Sequence, residues 1–150
     1  TYDCGRGDIV INGAKGDVDL ELLAGETIIE GAKGKLDCNI SSGSLKITES
    51  VLENGTMLYA STGEISADLN YIDEKGTYTI KSSAGDVLID LPQNTGWSLI
   101  AKSTRGRIKN NLEPNVQTLE TGSDGEVYGD VNGGGALVDI YTDRGKIILN

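Results

Sequence analysis

The chain has 150 residues and a net charge of −10, from 23 acidic and 13 basic side chains. That length suffices for one domain with its own core, and 21 glycines beside only 2 prolines and many aliphatic residues exclude collagen and disorder. The acidic balance argues against nucleic-acid binding, and the lack of any apolar run of about 18 residues excludes a membrane-spanning helix.

The chain opens at Thr1 without Met, in the middle of a repeating pattern, and shows no signal peptide. A fragment of a longer protein is the expectation. Gly7, Gly16, Gly25, Gly34 and Gly43 then follow one another at nine-residue spacing. The later glycines that match Gly7, Gly25 and Gly43 are Gly63, Gly85, Gly106 and Gly145. Self-similarity at about 18 to 22 residues predicts a solenoid.

Alignment on those glycines produces columns. Two residues after the glycine stand Ile9, Thr27, Leu45, Ile65, Val87, Ile108 and Ile147. Five before it stand Leu20, Cys38, Leu58, Ile80, Ala101 and Ile140. Alternate residues share one face of a strand, so each repeat predicts two short strands joined at a glycine corner. Clearest is the pair Tyr78 to Leu91 and Leu99 to Leu112, which states the unit twice. The expected fold class is all-β, a right-handed parallel β-helix (a single-stranded β-solenoid) of about six to seven rungs. One domain, 1–150, is expected, with an irregular rung or loop insertion at about 113–134 and a short strand near Val127-Tyr128. Regular rungs resume at Ala136, and the chain stops at Asn150 in mid-rung.

At this point the residues carry a likeness. The runs S-x-G-D-V-x-I-D-L-P (from Ser83), W-S-L-I-A-K-S-T-R-G-R-I (from Trp97) and G-A-L-V-D-I-Y-T-D-R-G-K-I (from Gly135) resemble the DUF4097 family, whose members are often labelled adhesins. The resemblance implies a right-handed β-helix in a bacterial cell-envelope or surface protein. It also implies a link to envelope-stress systems and carries no catalytic motif.

Chemistry is sparse. No histidine is present, which removes the usual general base and excludes Ser-His-Asp and Cys-His arrangements. Carboxylates remain. Glu64 beside Asp86 and Asp68 beside Asp90 form pairs on adjacent rungs that suit glycoside cleavage or Ca²⁺. Ser44, Thr48 and Arg107 interrupt those columns, which favours solvated acidic faces, and Arg107 is expected next to Asp86. Cys4 and Cys38 fall in different columns about two rungs apart, beyond disulfide reach, and are expected as buried free thiols. Arg6-Gly7-Asp8 spells the integrin tripeptide but fits the general corner pattern. Asn39 and Asn54 head glycosylation triplets that have no meaning in a bacterial source.

The outward columns are more informative. Met57, Tyr59, Ile100 and Tyr141 are expected on one exposed β face, with Val10, Ile28, Leu88 and Ile148 outward on another. Exposed apolar rows suit docking, unless the irregular segment folds over one of them. Trp97 is expected as an edge cap or as a sugar-stacking residue. These features predict a non-enzymatic structural, adhesion-like or binding module of the cell envelope, without cofactor. Its partners would be a protein or an envelope component, or a second copy meeting the solenoid ends or the apolar face. The competing readings are a carbohydrate-active β-helix enzyme using the paired carboxylates, and an ice-binding solenoid, for which the necessary Thr ladder is missing.

Overall fold

A computed structural model describes residues 1–69, 71–112, 120–121 and 125–150. Among them there is no helix. The strands are β1 (Tyr2–Arg6), β2 (Ile9–Asn12), β3 (Val18–Glu30), β4 (Lys33–Gly34), β5 (Leu36–Thr48), β6 (Val51–Leu52), β7 (Met57–Thr62), β8 (Ile65–Asp68) and β9 (Tyr71–Ile72). After them come β10 (Thr77–Ala84), β11 (Val87–Asp90), β12 (Trp97–Ser103), β13 (Ile108–Asn110), β14 (Glu120–Thr121), β15 (Glu126–Val131), β16 (Ala136–Arg144) and β17 (Ile147–Leu149).

The chain winds in solenoid-like tiers, each stacked on its neighbour by parallel pairing. A first face, before the glycine corner, runs β1, β3, β5, β7, β10, β16, β12. A second face, after the corner, runs β2, β3, β5, β8, β11, β17, β13. The two strands β3 and β5 bend around the corner without interruption and so belong to both. A short third face of β4, β6 and β9 closes the earlier tiers.

Inward columns follow the two-residue period of the sequence. Leu20, Cys38, Leu58, Ile80, Ala101 and Ile140 are all buried, as are Leu45, Ile65, Val87 and Ile147 on the second face. Each tier alone would expose this row, and stacking removes it from water. Tyr78 is the largest residue of its column and is fully buried. Its hydroxyl donates to the Leu52 carbonyl at 2.9 Å and accepts the Asp73 N–H at 2.7 Å, which ties the first face to the third.

The corner glycines are required by two separate effects. Gly25, Gly43, Gly63 and Gly85 hold φ between +130° and +157°, where L side chains are strained. In addition, a Cβ on each would land on the carbonyl oxygen of the glycine one tier before it. The nine-residue spacing of the early glycines is thereby explained: Gly7, Gly25 and Gly43 form one corner column, and Gly16 and Gly34 form a second column within the same 18-residue tiers. Asp residues that follow corner glycines serve the stack. Asp8, Asp17 and Asp86 accept the backbone N–H of Glu26, Lys35 and Lys146 in the next tier, at 3.0, 3.1 and 2.8 Å. The Asp of Arg6-Gly7-Asp8 is therefore a structural acceptor.

Tier order departs from chain order at the C-terminal end. Residues 136–150 do not follow residues 97–110 at the end of the stack, as the sequence suggests. They insert between β10–β11 and β12–β13. A Cβ on Gly145 would meet Gly85, and one on Gly106 would meet Gly145. The irregular segment makes this possible: β15 runs antiparallel along the outer side of β12, with β14 beyond it. The expected strand at Val127-Tyr128 is thus present within β15. The Asn132-Gly133-Gly134 turn, with Asn132 at φ +51°, then returns the chain to β16. The other parts of the expected insertion, 113–119 and 122–124, lie outside the described residues.

Local chemistry favours the inserted order. Direct pairing of β10 with β12 would set Lys81 opposite Lys102, and like charges in that position repel. In the observed order Tyr141 stands between them. Lys146 and Asn150 also supply partners to Asp86 and Asp90, the latter through Asn150 Nδ2 at 2.9 Å. The neighbour of Asp86 is consequently Lys146, and the expected Arg107 lies one tier further.

Candidate functional site

Outward side chains of the first face change character along the stack. The early tiers present Asp3, Asp19, Glu21 and Asp37. Leu23, 63% exposed, is their outward apolar residue; from β7 onward more apolar side chains stand among the charged ones: Met57 is 51% exposed, Tyr59 39%, Ile100 50% and Tyr128 43%. This part of the face is built from β7, β10, β16 and β12, paired in parallel, and β15, antiparallel to β12. One row across them reads Tyr59, Lys81, Tyr141, Lys102, Glu126, and the adjacent row reads Met57, Thr79, Asp139, Ile100, Tyr128.

Not all expected members come together. Ile100 and Tyr141 line a groove of about 630 Å³ together with Tyr128, Ile140 and the charged Lys81, Lys102, Glu126 and Asp139. Met57 and Tyr59 share the same face but sit across the β10 strand, beside Thr79 and Lys81. Tyr141 is half-buried, and its hydroxyl shares a hydrogen bond with Thr104 Oγ1 at 3.2 Å. Tyr59 makes the equivalent bond to Ser83 Oγ at 3.2 Å. Both hydroxyls are thereby tied to the neighbouring tier. Lys102 and Glu126 close one side of the groove as an ion pair.

Trp97 corrects one of its two expected roles, that of an exposed sugar-stacking residue. It is fully buried, and its indole N–H donates to the Pro92 carbonyl at 2.8 Å. It therefore stands outside the exposed face and anchors the 92–96 loop from within, where Asn132 Nδ2 holds the Gln93 and Thr95 carbonyls from the other side. Tyr128 was missed because it lies on the antiparallel strand of the irregular segment, outside the glycine-aligned columns. A signal was available in the alternation Val127, Tyr128, Gly129, Asp130, Val131.

The acidic pairs are neighbours as expected. Asp68 and Asp90 are register partners, and Glu64 and Asp86 hold the equivalent position one residue before Ile65 and Val87. Asp86 and Asp90 each accept a hydrogen bond, from the Lys146 backbone and from Asn150 respectively. Among the described residues no three His, Cys, Asp or Glu side chains gather to hold a metal ion. Val10, at 62%, is the most exposed of the second-face row, where Ile28, Leu88 and Ile148 are half-buried.

Both cysteines are free, Cys38 buried and Cys4 half-buried. Burial pushes the Cys38 thiol up to about 12, helped by the nearby charges of Asp37 and Asp19. A thiol in this state has no thiolate character and no nucleophilic role. Burial also raises the Tyr78 phenol above its ordinary value, against the opposing effect of the Asp73 N–H.

Among comparisons with known proteins, a family model described as Toastrack DUF4097 matches residues 3–150. No curated protein and no solved structure matches the chain.

Proposed function

The chain belongs to the DUF4097 (Toastrack) family, and from that premise we propose that it is a non-enzymatic β-solenoid module of the bacterial cell envelope or surface, which binds a protein or envelope component through the first face. In this reading the solenoid is right-handed, with about six to seven rungs. The strong right-handed preference of parallel crossovers within one sheet supports that hand. The adhesin label and the envelope location rest on the family likeness alone.

One observation carries the binding reading. The groove over Ile100, Tyr128 and Tyr141 sets aromatic and aliphatic side chains among Lys81, Asp139 and the Lys102–Glu126 ion pair. Exposed aromatic and aliphatic side chains gathered in one concave patch are what a docking surface uses as anchors. Met57 and Tyr59 extend it toward the middle of the stack.

The enzyme alternative would act through Glu64 and Asp86, or Asp68 and Asp90. Asp86 and Asp90 each serve the stack as hydrogen-bond acceptors, from the Lys146 backbone and from Asn150, and that structural use supports the non-enzymatic reading over it.

Calorimetric titration of the purified domain against envelope fractions tests the reading. Saturable binding that weakens at least tenfold in Ile100→Asp or Tyr141→Ala, while Val10→Asp leaves it intact, is the expected result. Binding that survives both first-face substitutions would refute it.

A further inference from the structure

The corner between the first and second faces changes sign along the stack. In the column after the glycine stand Asp8, Glu26, Ser44, Glu64 and Asp86, followed by Lys146 and Arg107. In the column before it, Arg144 and Arg105 occupy the same two last tiers. Backbone bonds fix this array: Arg105 N donates to the Asp143 carbonyl at 2.9 Å, and Ile147 N to the Arg107 carbonyl at 2.9 Å. Lys109 continues the Arg107 row on β13. All five side chains are exposed.

Among the described residues few acids balance them. Residues 97–112 hold Lys102, Arg105, Arg107 and Lys109 and neither Asp nor Glu, in a chain of net charge −10. Asp143 alone is shared between Arg105 and Arg144, at 3.9 and 3.6 Å and only through their Nε atoms. Asp86, the nearest acid on the other side, has one carboxylate oxygen engaged by the Lys146 backbone.

We propose that this corner binds a linear polyanion bearing repeated phosphate groups, laid along the tiers rather than along the stack. The cations form two parallel rows, Arg105-Arg107-Lys109 and Arg144-Lys146, about 4.8 Å apart at strand spacing. Guanidinium forks match phosphate oxygens, and three of the five cations are arginine. Single exposed ion pairs contribute little, so affinity must come from many contacts at once, which a chain supplies and an isolated anion does not. A flat anionic membrane suits the surface poorly, because the positive strip is only two tiers wide and Asp86 and Glu64 continue the ridge with opposite charge. This surface is distinct from the apolar groove and stands or falls separately from it.

The test is titration of the full domain with long-chain inorganic polyphosphate across a range of salt. Arms with orthophosphate and with phosphatidylglycerol vesicles run beside it. Polyphosphate binding that falls steeply with salt, weakens at least tenfold in Arg105→Ala/Arg107→Ala with a shallower salt slope, and is unchanged in Lys33→Ala/Lys35→Ala is expected. Four results would overturn the proposal: no binding at about 0.1 M salt, salt-independent binding, equal loss in both double variants, or vesicles or orthophosphate binding as well as the polymer does.

Discussion

Two inward side chains, Thr27 and Cys38, each have a measurable consequence. Thr27 stands between Ile9 and Leu45 in the stack, fully buried, and its hydroxyl has no hydrogen-bond partner among the described residues. An unpaired buried hydroxyl costs about 1–3 kcal/mol. Thr27→Val keeps the shape and removes the penalty, so it should leave stability unchanged or raise it by about 1 kcal/mol in urea unfolding. A loss of stability would mean that the hydroxyl has a partner. Cys38 is the other case. Its thiol stays protonated in the fold up to about 12, whereas the unfolded chain releases that proton near 9.0. The stabilising contribution is complete below pH 9.0, declines as pH rises above it, and is fully lost by about 12. Within that window the decline is about 1.4 kcal/mol per pH unit. Tyr78 adds to it at higher pH, because its own phenol is raised. Cys38→Ala should therefore flatten the fall in urea midpoint just above pH 9. In the native protein at neutral pH a thiol reagent should label Cys4 promptly and Cys38 only on unfolding.

At the scale of the element, the corner glycines define the tiers and their cost is position-dependent. Gly7 and Gly43 have similar backbone angles, φ +137° and +130°. At Gly7 nothing lies within 4 Å of an added Cβ, whereas at Gly43 the Cβ would fall on the Gly25 carbonyl. Gly7→Ala should cost the strain alone, roughly 1–3 kcal/mol. Gly43→Ala adds a backbone clash and should cost at least about 2 kcal/mol more, or prevent folding, in chemical denaturation. Equal losses would show that the tiers do not touch at this corner. These elements were the part most legible in sequence, because a two-residue period and a fixed glycine determine which side chains face inward. Leu20, Leu45 and Ile140 could be placed without coordinates for that reason. Trp97 could not: it sits at the start of its strand, where the column holds Ala136 in the inserted tier and the Leu91-Pro92 step supplies a partner from outside the repeat.

For the whole molecule, tier order is the feature that the sequence hid. Glycine columns are nearly interchangeable, so Gly106 fits against Gly85 as readily as Gly145 does. The choice is made by scattered contacts: Tyr141 separating Lys81 from Lys102, Asp86 meeting the Lys146 backbone, and Asn150 bridging Asp90 at 2.9 Å and Asn111 at 2.8 Å. None of these shows a period. The same placement lays β15 beside β12 and so brings Tyr128 to Ile100, completing the groove that the binding proposal uses. Paired cysteines at outward positions discriminate the two orders, because disulfides need Cα atoms within about 7 Å and alternate strands lie roughly 9.6 Å apart. In a Cys4→Ser background, Lys81→Cys/Tyr141→Cys should form an intramolecular disulfide under mild oxidation, and Lys81→Cys/Lys102→Cys should not. The reverse outcome, with Lys81 and Lys102 cross-linking and Lys81 and Tyr141 remaining reduced, would contradict the inserted tier and the groove built on it.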